Sequence, residues 1–358
     1  MYEASLNFTD YASKVFRQCD LLKNDSSYKQ QVRCVVSTVV SFWCGYVLPI
    51  FSLITIMINL YIGFYTVVRA NKVPRQIIYI SGICLSSAIA NIMFIWLWQF
   101  TVRGLPYVSR GTIFFSLLNV SPMTCRFQRY MYAFSSTMMC NMHVCASLDR
   151  CLTIYIPTKM KRFPKLYGWY IHIAVLLLSA VMMIPFVFRV DWRLVDERIL
   201  CWVDLSDRYV QGYHTLFSNL GLIQTIFLIM TDLAFLLKVR KQLYKNPLSK
   251  LNVTDKKYIQ RSVLLIISSI SFIIIALCQA VFYSLARFNY TLADVNETGV
   301  DYDIGDFFWY LNSIRELLDI YIYFKCFKLL RNSLLCTSQR LSKGSLFKSD
   351  QPQISRSY

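Results

Sequence analysis

Charged residues are scarce in this chain, since only 16% of its 358 residues are Asp, Glu, Lys or Arg and 56% are hydrophobic. Soluble domains typically contain about 25% charged residues. Together with a mean hydropathy of +0.42, this scarcity excludes an ordinary soluble fold. We expect an integral membrane protein built from α-helices.

Histidines are few, and no internal repeat is found. The three histidines, His143, His172 and His214, lie in three separate apolar segments, whereas a metal enzyme needs His or acid clusters at ligand spacing. We therefore expect no enzyme, no metal and no other cofactor. The absence of repeats argues against the inverted repeats of secondary transporters. The largely polar stretch from Met1 to Arg33 predicts no cleavable signal, so the first apolar segment is expected to direct membrane insertion.

Apolar segments of membrane-spanning length are what the chain does contain. A bilayer core of roughly 30 Å requires about 20 apolar residues in a helix. Seven such segments lie at 36–68, 78–101, 123–154, 167–188, 212–238, 262–286 and 306–327. We expect a bundle of seven membrane-spanning helices over 35–336, with an extracellular tail over 1–34 and a disordered cytoplasmic tail over 337–358.

Basic residues and glycosylation patterns set the expected orientation. The loops after the first, third and fifth segments carry more Lys and Arg than the other loops, as short cytoplasmic loops do. The N-terminus is therefore expected outside. The acceptor residues Asn7, Asn24, Asn289 and Asn296 then lie outside as well, where glycosylation takes place. The net charge of +18 is spread over loops and tails, so it suits anionic lipid, and we expect no nucleic-acid partner.

Two cysteines differ from the rest because they lie at the outer, oxidising face. Cys125 is at the outer end of the third segment and Cys201 is in the second outer loop. We expect a disulfide between them that holds this loop over the bundle. Cys19 and Cys34 in the outer tail are a possible second pair, with two free thiols as the alternative.

A basic amphipathic stretch follows the seventh segment. In Phe324–Leu335, Phe and Leu recur at helical spacing against Lys and Arg. The pattern is typical of a short helix in the inner membrane interface, and a frayed basic tail is the alternative. Cys336, just beyond it, is a candidate palmitoylation site, so membrane lipid is an expected partner.

Two motifs in the third segment resemble those of the rhodopsin-like G-protein-coupled receptors. Asp149-Arg150-Cys151 is similar to the Asp-Arg-Tyr motif of that family. Cys125 lies 25 residues before Arg150, as the disulfide cysteine of the family does.

Three further motifs extend the resemblance over the seven segments. Asn59 is similar to the asparagine of span one, and Asn91 stands where span two usually has Asp. The run from Asp319 to Tyr323 resembles Asn-Pro-x-x-Tyr with Asp first and the proline lost. Ala276–Val281 replaces the usual Cys-Trp-x-Pro of span six, so the chain is identified as a divergent, invertebrate-type member.

The resemblance implies a plasma-membrane receptor that transmits an extracellular signal to a heterotrimeric G protein. Arg150, held by the adjacent Asp149, would form a two-state latch, with Asp319 and Tyr323 as further parts of the activation switch. The alternative for the charged pair is an interfacial pair that only orients the helix. Asp232, in the fifth segment, is expected to pair with a base of the third cytoplasmic loop.

Buried polar side chains in hydrocarbon must find partners, so Asn59, Asn91 and Asp319 are expected to converge inside the bundle. One carboxylate in that pocket leaves sodium binding open. Arg315, one helical turn from Asp319, would neutralise it directly in the alternative arrangement, and no sodium would then bind.

Residues that other receptor classes need and this chain lacks narrow the choice of ligand. Opsins need a lysine inside span seven, where this chain has only Lys325 at the inner edge, and amine receptors need an Asp in span three, where it has Tyr132. An acidic third outer loop favours a peptide with a basic or amidated end, contacted by Arg126, Arg129, Tyr132 and Gln279, although ordinary loop solvation explains the acids equally well. A small chemosensory molecule is the alternative ligand, and a seven-span channel or transporter is the alternative class.

Overall fold

The computed structural model describes residues 19, 28–69, 73–164, 166–195, 198–203, 208–245, 253–291, 295–327 and 330. Within these ranges the side chains of several residues, chiefly 192–200, 202–219 and 287–299, fall outside the description.

Seven long helical rods account for most of the described residues. The first rod, α1, joins three pieces: α-helical Tyr28–Phe42, π-helical Trp43–Val47 and α-helical Leu48–Val68. The second rod, α2, joins α-helical Arg75–Ala90, π-helical Asn91–Gly104 and α-helical Leu105–Val108. The other rods are α3 (Pro122–Tyr155), α4 (Leu166–Arg189), α5 (Arg208–Lys245), α6 (Val253–Thr291) and α7 (Val295–Cys326).

A two-stranded antiparallel hairpin follows α4. Its strands are β1 (Val190–Val195) and β2 (Arg198–Val203), and Val190 lies opposite Val203. A 3-10 turn at Leu117–Asn119 leads into α3, and a short helix at Pro157–Arg162 follows it. These pieces connect the rods at their two ends.

The start of α3 is fixed by local sequence. Ser121 accepts a bond from the backbone N–H of Thr124, and the Thr124 hydroxyl accepts one from the backbone N–H of Ser121. This reciprocal capping box satisfies two N–H groups that a helix terminus leaves unpaired. Pro122 occupies the first helical position, where its missing N–H costs nothing.

Within the described part of the chain, five helices are long and apolar enough to cross a membrane. They are Gln30–Val68, Arg75–Val108, Leu166–Pro185, Leu220–Tyr244 and Tyr258–Ala286. The rods α3 and α7 have 34 and 32 residues, which is also a spanning length, but they contain more polar and charged side chains. The chain is thus an all-helical protein of the membrane type, apart from its one described hairpin.

The outward faces of the helices are apolar, while many polar side chains are buried. Met57 on α1, Val181 on α4 and Met230 on α5 are each more than 60% exposed. Asn59, Arg150 and Glu316 are buried. This distribution is the reverse of that in a soluble protein. It suits a lipid environment, where the polar groups must find partners inside the bundle.

The rods α1 and α2 approach closely at two glycines, and this contact supports a stability prediction. A Cβ on Gly104 would lie 2.4 Å from the carbonyl oxygen of Cys44, so the two backbones would have to separate. Gly104→Ala is expected to lower the free energy of unfolding by about 2 kcal/mol, the usual cost of overpacking. The measurement is the thermal unfolding midpoint of the purified protein in detergent.

Gly221→Ala is the matched control for this prediction. A Cβ on Gly221, in α5, meets nothing within 4 Å, and Ala is favoured over Gly in a helix. Its midpoint should equal or exceed that of the wild type. If Gly104→Ala had the same unfolding midpoint as the wild type, α1 and α2 would not be in close contact.

Candidate functional site

One end of the bundle is closed by a disulfide and a hairpin, and we call it the disulfide end. The Sγ atoms of Cys125 at the start of α3 and Cys201 in β2 are 2.01 Å apart, in a disulfide bond. Cys19 and Cys34 also form a disulfide. The first pair is the one expected from the sequence, and the second is one of the two alternatives that the sequence leaves open for Cys19 and Cys34.

Arg126 holds the hairpin against α3. Its Nε donates to the carbonyl oxygen of Val190 at 3.0 Å, and its guanidinium lies 2.6 Å from a carboxylate oxygen of Asp191. Arg126 is not among the residues that line the cavity described next, so its contact with the ligand stays a prediction. The residue lies on the face of α3 that packs under β1.

A cavity of about 420 Å³ lies between α2, α3, α5, α6 and α7 at the disulfide end. Aromatic side chains form much of its wall: Phe94, Trp98, Tyr132, Phe272, Tyr283, Tyr302 and Trp309. Polar lining residues are Arg103, Arg129, Ser136, Thr137, Gln224, Gln279, Asp306 and Asn312. Pockets for small organic ligands have this volume and this mainly apolar character.

Three of the predicted ligand contacts lie in this wall: Arg129, Tyr132 and Gln279. The Tyr132 ring stacks on Phe94 with centroids 4.8 Å apart and meets Trp309 at 5.7 Å. The Arg129 guanidinium lies over the Trp98 ring at 4.2 Å and donates to the Cys201 carbonyl oxygen at 3.3 Å. These contacts fix the side chains before any ligand enters, which lowers the entropy cost of binding.

Two acids of the stretch that the sequence predicts as the acidic third outer loop are engaged inside the bundle. Asp303 and Asp306 both belong to α7, and both pair with Arg103 of α2, at 2.6 and 3.3 Å. Asp306 also accepts bonds from Gln99 at 3.2 Å and from the Tyr283 hydroxyl at 2.7 Å. The network joins α2, α6 and α7 beside the cavity. The sequence feature that points to this network is Arg103, a charged residue near the end of the second apolar segment.

A second polar cluster is centred on Glu316 of α7. Asn59 and Asn91 donate to its Oε2 at 3.2 and 2.8 Å, and Asn312 donates to its Oε1 at 3.0 Å. The sequence predicts that the two asparagines of α1 and α2 converge on Asp319. The prediction was wrong about the acid. The carboxylate that binds both asparagines is that of Glu316, almost one turn before Asp319 on α7.

Asp319 is neutralised within its own helix. Arg315 lies 2.6 Å from its carboxylate, and both side chains are almost fully buried. Arg315 Nε also donates to Asn312 at 2.8 Å. This is the direct neutralisation that the sequence gives as the alternative to sodium binding.

At the opposite end of the bundle, which we call the Arg150 end, the residues that the structure describes form two ion pairs between different helices. Asp149 of α3 pairs with Arg75 of α2 at 2.6 Å, and Arg150 pairs with Asp232 of α5 at 3.1 Å. The Ser147 hydroxyl donates to the same Asp232 oxygen.

Two predictions about this end are corrected by these contacts. The latch expected between Asp149 and Arg150 does not form, since neighbouring residues of a helix point in different directions and do not face each other. Asp232, expected to bind a base of the third loop, binds Arg150. Each acid thus finds its base on another rod.

Arg150 and Tyr323 share the wall of a small cavity of about 20 Å³. His143 and Tyr79 also line it. Its size matches a single water molecule. Of the four residues predicted for the activation switch, Arg150 and Tyr323 therefore lie together, whereas Asp149 and Asp319 are bound to other partners.

Several predicted sites lie outside the described residues: Asn7, Asn24 and Cys336, together with most of the stretch expected to form the interfacial helix. Asn289 and Asn296 belong by their backbones to α6 and α7, and their side chains are outside the description. Within the described residues, no group of three or more His, Cys, Asp or Glu has a metal-binding arrangement. The chain matches no protein-family model and no curated protein sequence.

Proposed function

We propose that this chain is a plasma-membrane receptor of the rhodopsin-like class that binds an extracellular ligand in the aromatic cavity and signals to a heterotrimeric G protein. The observation that carries the proposal is the layout of α3. Tyr132 lines the cavity and Arg150 lies in the ion pair at the other end. At 1.5 Å per residue these positions are about 27 Å apart, close to the thickness of a membrane.

Seven membrane-spanning helices are part of the proposal. The two rods that are less apolar, α3 and α7, place their buried charges against partners inside the bundle: Asp149 with Arg75, and Arg315 with Asp319. Charges that are paired and turned away from lipid are compatible with a spanning helix. The N-terminus is proposed to lie outside, where the disulfide end would meet the oxidising environment.

The ligand that the cavity favours is a small organic molecule with one or more rings. The wall is rich in aromatic side chains, and the one carboxylate among its described residues, that of Asp306, already accepts bonds from Arg103, Gln99 and Tyr283. A strongly basic ligand would have to compete with these donors. A peptide is the second candidate, because its terminal residue would fill the same space.

A channel or transporter is less well supported. Such a protein requires polar groups that line a continuous path, whereas the ion pairs among the described residues lie in separate clusters. In a receptor, by contrast, the ligand needs only to change the relative populations of two arrangements of the bundle.

Filling the cavity tests the proposal. Gly221 lies in the cavity wall and has open space beyond its Cα, so Gly221→Phe should occupy the ligand volume without disturbing the packing. The assay measures a second messenger across a library of small molecules and peptides. We expect the potency of any agonist to fall about tenfold or more, because the new ring occupies the volume that the agonist would fill.

The control variant is Ile226→Phe in α5, at a residue that is 47% exposed. It adds the same ring outside the cavity and should leave agonist potency unchanged at equal surface expression. An agonist that acts equally on the wild type and Gly221→Phe would exclude this cavity as the site. An ion current that tracks expression and needs no G protein would favour the channel.

A further inference from the structure

Three side chains on three helices form a chain of hydrogen bonds that ends at the cavity wall. Asn141 Nδ2 of α3 donates to Ser179 Oγ of α4 at 3.1 Å. Gln224 Nε2 of α5 donates to Asn141 Oδ1 at 2.6 Å. Gln224 lines the cavity, whereas Asn141 and Ser179 are not among the described residues that line it. We call these three side chains the amide relay.

The amide relay fixes the orientation of the Gln224 amide. A primary amide has an acceptor oxygen and a donor nitrogen on the same carbon, and the two point in different directions. Ser179 is fully buried, and its hydroxyl takes the Asn141 Nδ2 donor, which leaves Asn141 Oδ1 to accept from Gln224 Nε2. Within the described residues, Gln224 Oε1 has no hydrogen-bond partner and is not enclosed by protein. Since Gln224 lines the cavity, this oxygen faces the ligand volume.

Two other acceptors of the cavity wall are already in use. The Asp306 carboxylate accepts bonds from protein donors of α2 and α6, and Asn312 Oδ1 accepts one from Arg315. A donor group of a ligand would have to displace these protein donors. At Gln224 Oε1, by contrast, a ligand donor forms a new bond without breaking one, because the nitrogen of the same amide stays bonded to α3.

We propose that Gln224 Oε1 selects ring compounds that carry a hydroxyl or N–H donor, and that Asn141 and Ser179 are positioning residues that keep this oxygen toward the cavity. The inference rests on the proposed function, because it names the chemical class of the ligand for the same cavity. A ring with a methyl group in place of the donor leaves Oε1 unpaired between apolar walls, which is costly. Without the amide relay, the Gln224 amide can turn over and present its NH2 group, and the selection for donors is lost.

The experiment measures binding of two probes to the full-length protein in lipid nanodiscs by equilibrium dialysis. The probes are para-phenylphenol and para-methylbiphenyl, which differ only by a hydroxyl and a methyl group of similar size. Nanodiscs with Gly221→Phe, in which the cavity is filled, give the background from partitioning into lipid. We expect the wild type to bind the phenol about tenfold or more tightly than the methyl compound. Because both probes are measured on one sample, the ratio of the two dissociation constants does not depend on the folded fraction.

Four variants test the amide relay through this ratio. Gln224→Met removes the acceptor and Asn141→Leu removes the group that orients it, so both should bind the two probes with nearly equal affinity. Asn141→Asp keeps an acceptor for Gln224 and, when protonated, a donor for Ser179, so it should retain the preference for the phenol. Tyr130→Phe is the matched control. It removes a bond of 3.3 Å from α3 to the Ala180 carbonyl oxygen of α4, outside the amide relay, and should keep the wild-type ratio.

The outcomes separate the inference from the proposed function. Equal affinities in the wild type, no binding above the Gly221→Phe background, or a preference that survives in Gln224→Met overturns the inference. A preference that survives in Asn141→Leu, or that is lost in Tyr130→Phe, overturns the positioning role. If the ratios behave as expected and no compound evokes a second messenger, the receptor function is rejected and the selection by Gln224 stands. If agonists need the cavity and show no preference for a donor, the receptor function stands and the inference fails.

Discussion

Replacing Arg315 by methionine is expected to destabilise the protein by about 3–5 kcal/mol, the typical cost of removing one partner from a buried ion pair. Arg315 lies 2.6 Å from Asp319, with side-chain exposures of 2% and 4%. The variant would leave the Asp319 carboxylate in the bundle interior without its base. It would also remove the Nε donor that orients Asn312, which in turn binds Glu316.

Thermal unfolding in detergent measures this effect, with the fraction of monodisperse protein as a second readout. Arg240→Met is the matched control because Arg240 is exposed on α5. It removes the same charge and should leave the midpoint almost unchanged. The double variant Arg315→Met with Asp319→Asn should recover part of the loss, since the orphaned charge is then removed. Equal midpoints for Arg315→Met and Arg240→Met would contradict the buried pair.

Loss of the Cys125–Cys201 disulfide is expected to cost about 4 kcal/mol, because it closes a long loop whose entropy the unfolded chain regains. The two cysteines are 76 residues apart. Cys201 also lies in the cavity wall, and its carbonyl oxygen accepts a bond from Arg129. The double variant Cys125→Ser with Cys201→Ser should therefore lose agonist response as well as stability.

The second disulfide supplies the comparison. Cys19 and Cys34 are 15 residues apart, and a loop of that size contributes about 3 kcal/mol or less. Cys19→Ser with Cys34→Ser should therefore have a smaller effect on the unfolding midpoint and should preserve the agonist response. Surface expression, the midpoint and the response are measured for both double variants. A larger loss from the Cys19–Cys34 variant would contradict this ranking.

The positions of the helices were largely predictable because they depend on local properties of the chain. Each apolar segment predicted from the sequence lies within or largely overlaps one rod. The rods extend further, since hydropathy marks only the part of a helix suited to lipid. The segment predicted at 212–238, for example, belongs to α5, which reaches Lys245. Helical hydrogen bonds continue in polar surroundings, where hydropathy gives no signal.

The partners of the buried charges were only partly predictable. The pair of Arg315 and Asp319 follows from their spacing of four residues, which places them on one face of a helix. Arg150 and Asp232 are 82 residues apart, and no local pattern links them. Asp149 and Arg150, although adjacent, point toward different neighbours. The sequence does indicate that these side chains must be paired, because charges in hydrocarbon are costly.

The sequence alone therefore determined that this is a helical chain of the membrane type, which segments form its helices, and which cysteines were candidates for disulfides. These depend on composition and on the spacing of neighbouring residues. Only the tertiary structure decided that Glu316, not Asp319, receives the asparagines of α1 and α2, and that α5 supplies the carboxylate for Arg150. Those choices depend on the rotation and depth of each helix, which are set by the packing of segments that are distant in the chain.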